Sequence, residues 1–293
     1  MSQFSRREFL KTSLAVGAMS TVGTLPVYGA KRTATDMVTL GKSGMKVTRL
    51  AFGTGTNNGR TQAALGQQEF TRLVHYAYDK GIRFFETCDT YATPAMLGEA
   101  LKDIPRDSYQ LMSKLTTNNA DPQEHFQQML RISQTEYYDI MLLHWQHTDD
   151  WVSTTARWQD GVLQAQEKKI IRVRGASVHG LPALRQMPGN KWLQIAMIRM
   201  NHNGTRMDGP VGDGPSNPDS VGEVVDHVKQ VKKEGMGVIS MKLIGEGRFT
   251  ERTDRQAAMR FAFNYAGVDC VTVGFKNTQE IDEAIENMNL ALA

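Results

Sequence analysis

The sequence predicts an α/β protein, a (β/α)8 TIM barrel with an N-terminal β-hairpin that caps its bottom. After residue 49, short apolar segments alternate with amphipathic segments eight times. Strands that alternate with helices favour parallel pairing. About 263 residues follow residue 30, close to the ~250 residues of a typical (β/α)8 barrel. Two alternating segments, 37–40 and 45–48, flank a Gly-Lys-Ser-Gly turn, which is typical of a hairpin.

The bounds of the other elements follow from hydrophobic periodicity. Residues 67–80 illustrate a helix, because Phe70, Leu73, Val74 and Ala77 recur at helical spacing. The remaining predicted helices are 94–102, 122–135, 154–167, 181–186, 220–233, 254–265 and 278–289. The predicted barrel strands are 49–54, 82–86, 109–113, 138–143, 170–176, 193–200, 237–241 and 270–273.

A glycine-rich run after the first barrel strand resembles a dinucleotide-binding fingerprint. The spacing of Gly53, Gly55 and Gly59 is one residue too long for G-x-G-x-x-G. The next predicted helix begins only at residue 67, so we expect no helix N-terminus to face the turn. A doubly wound nucleotide-binding fold is therefore not predicted.

Composition excludes several classes of protein. There are 34 Lys and Arg against 31 Asp and Glu, a net charge of +3, so no basic nucleic-acid surface is expected. Two cysteines, Cys88 and Cys270, exclude a disulfide framework, an all-cysteine zinc site and a four-thiolate iron–sulfur cluster. No apolar run reaches the ~20 residues of a spanning helix, so stable membrane insertion is not expected.

Residues 1–30 have the layout of a bacterial export signal. Arg6 and Arg7 precede Phe-Leu-Lys, an apolar stretch covers 12–27, and small residues close it at Gly29 and Ala30. This arrangement resembles the twin-arginine signal, which exports folded proteins. It predicts the twin-arginine machinery as a partner and a periplasmic or secreted location. The barrel domain is then expected over the remaining residues, 31–293. The alternatives are a disordered basic tail and a short amphipathic helix on a membrane.

Polar residues follow the predicted strands at the end where barrels carry their chemistry. Strand 82–86 ends at Glu86, with Tyr91 five residues later, and the next two strands are followed by Lys114 and His144. A cation beside a phenol lowers its pKa and makes it a better acid. The set suits protonation of an oxygen that becomes an alcohol. His144 and His147 have neither the i,i+4 spacing nor a nearby cysteine, so no metal site is predicted.

Six segments carry a resemblance to a known family. They are LGKSGMKVTRL at 40–50, GIRFFET at 81–87 with Tyr91 and LGEAL at 97–101, YDIMLLHW at 138–145, RVRGAS at 172–177, Met241-Lys242 with Gly245 and Gly247, and 271–274 followed by Lys276. Each is moderately specific, but in their order and spacing they together resemble the aldo/keto reductase family over 37–293.

The resemblance implies a nicotinamide dinucleotide, NADP or NAD, and a small-molecule carbonyl substrate. By position, Tyr91 would be the general acid, Lys114 would tune it, Glu86 would pair with Lys114 and His144 would orient the carbonyl. Trp145 would be a substrate wall or simply buried. The implied cofactor-binding residues are Ser177, Lys242, Gly245, Gly274, Lys276 and Asn277.

Several positions depart from the family pattern. Glu86 stands where the family has Asp, which moves the carboxylate by ~1.5 Å, about one C–C bond. At five further positions, the residues that contact the dinucleotide in other members of the family are replaced here by Val178, Met197, Met241, Glu280 and Ala284. Lys276 would attract the 2′-phosphate of NADP and Glu280 would repel it, so the choice between NADP and NAD stays open.

Two functions follow as hypotheses. The first is an exported reductase of aldehydes or ketones that takes hydride from NAD(P)H. The alternative is a catalytically altered barrel that acts as a binding protein or holds a dinucleotide tightly. The lost cofactor contacts and the export signal motivate the alternative, because no free pool of reduced nicotinamide would recycle a released cofactor outside the cytoplasm.

Overall fold

A computed structural model describes residues 31–118, 120–207 and 220–293. Arg32–Ala293 forms one unit, and the predicted signal at 1–30 lies outside the described residues. The hairpin strands are β1 (Met37–Thr39) and β2 (Lys46–Thr48), which pair antiparallel. The barrel strands, β3 to β10, are Leu50–Gly53, Phe84–Glu86, Gln110–Leu115, Tyr138–Gln146, Ile171–Val178, Ile195–Arg199, Gly237–Met241 and Cys270–Gly274.

The eight strands close into a parallel barrel in chain order, which confirms the predicted fold class. Strand β10 pairs with β3 in the register Val271↔Leu50 and with β9 in the register Cys270↔Ile239, and this closes the sheet. Inward-facing side chains fill the interior, so the barrel is a packed core rather than a pore. The core includes Ala51, Phe84, Met112, Ile140, Val173, Ile195, Met197 and Ile239.

Helices surround the barrel, and the longer ones pack an apolar face against it. In Gly66–Asp79 the buried residues are the four apolar ones predicted from helical spacing. Pro122–Ile132 begins after Asp121, whose carboxylate accepts from the N–H groups of Gln123 and Glu124 at 2.9 and 3.1 Å, as expected of an N-cap. The helices α1 to α10 are Arg60–Ala63, Gly66–Asp79, Pro94–Leu101, Pro122–Ile132, Trp151–Thr154, Ala156–Glu167, Leu181–Leu184, Val221–Glu234, Arg252–Arg260 and Thr278–Leu292.

The hairpin covers the N-terminal end of the barrel, as predicted. Leu40 and Val47 are fully buried in the barrel core. The backbone N–H of Lys42 donates to the carbonyl of Gly235 at 2.7 Å, next to the start of β9. Gly41 has φ +50°, and a Cβ there would collide with the Gly235 carbonyl, so the close approach requires glycine.

Three element predictions need correction. A one-turn helix, α1, begins at Arg60 directly after the glycine-rich run, where no helix was expected before residue 67. The predicted helix 154–167 is divided into α5 and α6 at Thr155. The predicted helix 254–265 ends as α9 at Arg260 and continues as a π-helix, Phe261–Ala266. Apolar periodicity does not distinguish a single helix from two helices with a break between them.

Strand β6 extends beyond the predicted strand 138–143. Its pairing with β7 shifts register between Leu143 and Gln146, and Trp145 within this interval has φ +60°. An irregularity of this kind re-aims side chains at the rim of a barrel. Among the described residues, none of the helices combines the length and apolar character needed to cross a membrane.

Candidate active site

A cleft of about 570 Å³ opens at the C-terminal ends of the barrel strands. This is within the range of ~300–1,000 Å³ typical of small-molecule sites. Glu86, at the end of β4, and Tyr91, in the loop that follows, form part of its wall. The ends of β9 and β10 contribute Met241 and Gly274. The structure therefore places the cleft at the barrel face that the sequence indicated.

Glu86 and Lys114 form a buried ion pair beneath the cleft. Their residues are 3% and 1% exposed, and Lys114 Nζ donates to Glu86 Oε1. Lys114 Nζ also donates to the Thr87 carbonyl at 3.0 Å. The second carboxylate oxygen, Glu86 Oε2, accepts from Thr272 Oγ1 at 3.4 Å. Burial lowers the pKa of Lys114, and the nearby charge of Lys242 acts in the same direction. The glutamate thus reaches the lysine despite its additional methylene.

The phenol of Tyr91 lies against the lysine and a glycine. Lys114 Nζ is 4.7 Å from the centroid of the Tyr91 ring, a cation–π arrangement. A Cβ on Gly55 would stand 2.5 Å from the ring, so only glycine leaves room for Tyr91 here. Burial raises the pKa of Tyr91 well above its ordinary value, and the neighbouring Cys88 and Glu246 raise it further. The phenol is therefore protonated at neutral pH.

That direction is opposite to the one expected from the neighbouring cation alone. Two observations explain it. The charge of Lys114 is balanced by Glu86, and its Nζ faces the ring rather than being bonded to the hydroxyl. In this enclosed position the phenolate would lack the hydration that stabilises it in water. The attraction of the paired lysine is too weak to compensate for that loss. A protonated phenol is the state that a general acid requires.

His144 lies beside Tyr91, although it is not among the residues that line the cleft. Its ring centroid is 5.8 Å from that of Tyr91, with the two rings nearly perpendicular. Burial lowers the pKa of His144 well below 6.5, and the charge of Lys114 acts in the same direction. The imidazole is therefore neutral at pH 7, with one nitrogen that donates and one that accepts. Neutral His144 and protonated Tyr91 are both able to donate to a ligand oxygen.

A second ion-paired group lies in the cleft wall and was not found from the sequence. Lys242 Nζ donates to Glu246 Oε1, and Arg206 Nε donates to Glu246 Oε2 at 3.0 Å. Both Lys242 and Glu246 have positive φ, +55° and +58°. The Gly-Glu-Gly sequence at 245–247 indicated a turn. It gave no sign that the glutamate would fold back onto a lysine four residues earlier.

Three of the six expected cofactor-binding residues line the cleft: Lys242, Gly274 and Lys276. The other three, Ser177, Gly245 and Asn277, are not among the lining residues. Ser177 is fully buried, and its hydroxyl donates to Met241 Sδ at 3.8 Å. The Asn277 side chain caps α10 by accepting from the Glu280 N–H at 2.9 Å. Gly245 is buried, and a Cβ there would stand 3.2 Å from the Phe249 ring.

Trp145 is 44% exposed, so it is not a core residue. Its ring stacks at 4.4 Å on that of His147. Of the positions that depart from the family pattern, Met197, Met241 and Ala284 line the cleft, whereas Val178 is fully buried.

The cleft fits an extended ligand whose charge is carried near the ends of β9 and β10. Gly53 and Gly274 allow close packing within this wall, because a Cβ on Gly53 would stand 2.5 Å from Thr272 Oγ1 and one on Gly274 would collide with Thr56. Lys242 and Lys276 lie along the same wall, paired with Glu246 and Glu280. A nicotinamide dinucleotide has the elongated shape and the phosphates that this wall would accommodate.

A comparison with family models decides the assignment. The model of the aldo/keto reductase family matches residues 49–259, and that of the twin-arginine translocation signal matches residues 3–23. The chain belongs to the aldo/keto reductase family. It also carries a twin-arginine signal, so the prediction made from Arg6 and Arg7 is confirmed. The boundary of the signal at residue 30 stays a prediction.

Individual relatives of this aldo/keto reductase are distant. An aldo-keto reductase of Mycolicibacterium smegmatis is 27% identical over 188 residues, 56% of this chain and 62% of that protein. Methylglyoxal reductase DkgA of Salmonella typhimurium is 27% identical over 126 residues, 40% of this chain and 44% of that protein. The chain thus covers less than two thirds of either relative.

The fold extends further than the sequence similarity. An aldo-keto reductase of Klebsiella pneumoniae, solved in complex with NADPH, superposes with a TM-score of 0.65. The two chains are 15% identical, and the match covers 87% of this chain and 90% of the other. The shared architecture supports the barrel assignment independently of the catalytic residues.

Proposed function

We propose that this exported aldo/keto reductase reduces an aldehyde or ketone to an alcohol. The observation that carries the proposal is that Lys114 and His144 both lie against Tyr91, which lines the cleft, with the phenol protonated and the imidazole neutral. This favours turnover over the alternative of a barrel that only binds. When bound, a reduced nicotinamide dinucleotide supplies the hydride.

The chain's own residues supply the donors and the proton. Tyr91 donates a hydrogen bond to the carbonyl oxygen and transfers its proton as the oxygen gains charge. His144 donates a second hydrogen bond, which orients the carbonyl and stabilises the developing oxyanion. The Glu86–Lys114 pair holds the cation against the Tyr91 ring, where it stabilises the phenolate that remains after proton transfer. Lys242, Gly274 and Lys276 would hold the dinucleotide.

Purified mature protein tests the proposal directly. It is mixed with NADH or NADPH and a panel of small aldehydes and ketones, and oxidation of the nicotinamide is followed by absorbance while binding is followed by fluorescence. We expect binding of a reduced dinucleotide and turnover of at least one carbonyl compound. Failure to bind either dinucleotide, together with no turnover, would contradict the proposal and favour a binding protein.

Two paired cations in the cleft wall lead to a prediction about the choice of dinucleotide. Lys276 Nζ lies 3.5 Å from Glu280 Oε1. Two nitrogens of the Arg255 guanidinium donate to the Glu283 carboxylate, at 2.6 and 2.9 Å. These carboxylates neutralise the cations that would attract the additional phosphate of NADPH. We therefore expect NADH to bind at least as tightly as NADPH.

Calorimetric titration of Glu280→Gln checks this expectation. Removing the carboxylate releases Lys276, so we expect NADPH affinity to rise about fivefold, a gain typical of one exposed charge pair. NADH affinity should stay within twofold. Glu286→Gln is the matched control, because Glu286 lies on the same helix as Glu280, pairs with Arg252 of α9 and is not part of the cleft wall. An unchanged NADPH affinity in Glu280→Gln would show that this end of the cleft does not contact the 2′-phosphate.

The proposed destination is the periplasm or the medium outside the cell. A folded protein that leaves the cytoplasm must acquire its dinucleotide before export. We expect an Arg6→Lys/Arg7→Lys variant to remain in the cytoplasm, folded and uncleaved. Cell fractionation with immunoblotting measures this, and Lys11→Arg, which leaves the arginine pair intact, is the control. Normal export of the double variant would show that the arginine pair does not direct this protein.

A further inference from the structure

Cys88 touches a catalytic side chain that the proposed reaction uses, yet the proposal gives Cys88 itself no role. Its Sγ is 3.0 Å from His144 Nδ1, 3.2 Å from Asp89 Oδ1 and 3.4 Å from Thr90 Oγ1. The residue is fully buried. One thiol proton thus faces three acceptors, and the acceptor that receives it determines what His144 is able to do.

The carboxylate of Asp89 already has stronger donors. Its Oδ2 accepts from the Thr116 N–H at 2.8 Å and is 2.9 Å from His125 Nε2. Its Oδ1 accepts from Thr116 Oγ1 at 3.1 Å. Nitrogen and oxygen donors form stronger hydrogen bonds than a thiol. Asp89 therefore does not require the proton of Cys88, and that proton is available to His144 Nδ1, the nearest of its three partners.

The tautomer of His144 decides whether the imidazole assists reduction. A neutral imidazole carries one proton, and the hydrogen bond at one nitrogen selects the state of the other. If Cys88 donates to Nδ1, the ring proton is on Nε2, which then donates to a carbonyl oxygen. If Nδ1–H instead donated to the sulfur, Nε2 would present a lone pair and would repel that oxygen.

We propose that Cys88 is a positioning residue that holds His144 in the Nε2–H tautomer through an S–H···Nδ1 hydrogen bond. The inference rests on the proposed function for its catalytic consequence, although the tautomer itself can be observed without turnover. The pair is neutral, because burial raises the pKa of Cys88 and lowers that of His144. A thiolate–imidazolium nucleophile is therefore not formed, and Cys88 acts only through His144.

The same three residues have ligand atoms within 4.8 Å of one another, close enough to be considered as a metal site. The distances favour the hydrogen bond instead. Tetrahedral zinc, with bonds of about 2.3 Å to sulfur and 2.0 Å to nitrogen, would hold Sγ and Nδ1 roughly 3.5 Å apart. They lie 3.0 Å apart, and both oxygens of Asp89 are engaged elsewhere.

Long-range ¹H–¹⁵N NMR of the histidine rings tests the inference. The signals of His144 are assigned by their loss in His144→Asn. We expect the Nε2–H tautomer in the unaltered protein and in Cys88→Ser, which keeps a donor. Cys88→Ala removes the donor, so its spectrum should contain a substantial Nδ1–H population. Cys270→Ala, which truncates the other buried cysteine, is the matched control and should leave the His144 signals unchanged.

Kinetics supply the second readout. We expect kcat for carbonyl reduction to fall about three- to tenfold in Cys88→Ala, the population shift that one neutral hydrogen bond supports. Dinucleotide affinity should stay within twofold, and Cys88→Ser should recover most of the lost rate. If Cys88 had only a structural role, kcat would not recover specifically in the variant that keeps a hydrogen-bond donor.

Three results would overturn the inference. The first is an Nδ1–H tautomer of His144 in the unaltered protein, which needs no variant to fold. The second is an unchanged tautomer in Cys88→Ala, and the third is stoichiometric zinc that is lost with the thiol. A tautomer shift in a protein that reduces no carbonyl compound would instead support the role of Cys88 and contradict the proposed reaction, so the two failures are distinguishable.

Discussion

Tyr91→Phe is expected to lower the rate of carbonyl reduction by about 10²–10⁴-fold, the usual contribution of a general acid. The change removes only the hydroxyl, and the ring keeps its contacts with Lys114 and Gly55. Dinucleotide affinity should therefore change little. Steady-state kinetics and fluorescence titration on the same preparations separate loss of the proton donor from loss of cofactor binding.

Tyr78→Phe is the control for this experiment. Its hydroxyl donates to Ser108 Oγ at 2.9 Å, and neither residue lines the cleft. We expect its rate to match that of the unaltered protein. If Tyr91→Phe retained a rate within threefold of normal while Tyr78→Phe behaved as expected, the proton would have to come from another group, with His144 the nearest candidate.

Lys114→Met is expected to reduce the free energy of unfolding by about 3–5 kcal/mol, the usual cost of leaving one partner of a buried ion pair uncompensated. Glu86 would remain 3% exposed beside an apolar side chain. Its carboxyl would have to take up a proton or draw in water. Urea unfolding followed by circular dichroism measures the change.

A second substitution gives this prediction its control. Lys114→Met/Glu86→Leu removes both charges together, and replacing a buried pair by apolar residues of similar size is often nearly neutral. Most of the lost stability should return, although activity should not. Lys80→Met breaks an ion pair with Asp282 whose side chains are 43% and 47% exposed, so a much smaller loss is expected. If the double variant were no more stable than Lys114→Met, the cost would come from packing rather than from charge.

The residues at the strand ends were predictable because a barrel sets them by topology. Once eight strand–helix units are recognised, the residues at the C-terminal end of each strand must meet at one face. Glu86, Lys114 and His144 needed only the strand ends to be placed within about three residues. The structure moves the end of β5 from residue 113 to Leu115 and that of β6 from 143 to Gln146, and the set still converges.

Contacts made by loops were not predictable in the same way. Glu246 reaches Lys242 across a loop after β9 in which four residues, Lys242, Gly245, Glu246 and Gly247, adopt positive φ. Nothing in the local composition requires this conformation. From the sequence, Gly55 is simply part of a glycine-rich run. In the fold, its missing side chain leaves space for the ring of Tyr91, 36 positions later in the chain. Such pairings depend on the folded geometry of two loops.

Electrostatic directions also required the structure. The sequence placed a lysine near a tyrosine, which by itself lowers the pKa of the phenol. It could not show that the lysine is balanced by Glu86 or that the phenol is enclosed. Burial reverses the expected direction for Tyr91 and keeps the hydroxyl protonated. The raised pKa keeps the proton on Tyr91 but also makes the phenol a weaker acid, so the role of Tyr91 as the proton donor stays a proposal.

The most direct test of the account is the fate of the hydride. The mature protein is supplied with NADH or NADPH deuterated at C4 on either face, together with a carbonyl compound that it turns over, and the product is analysed by mass spectrometry. We predict one deuterium on the former carbonyl carbon from one face of the nicotinamide, and a matching loss of product in Tyr91→Phe. A product without deuterium from either face would contradict direct reduction in this cleft.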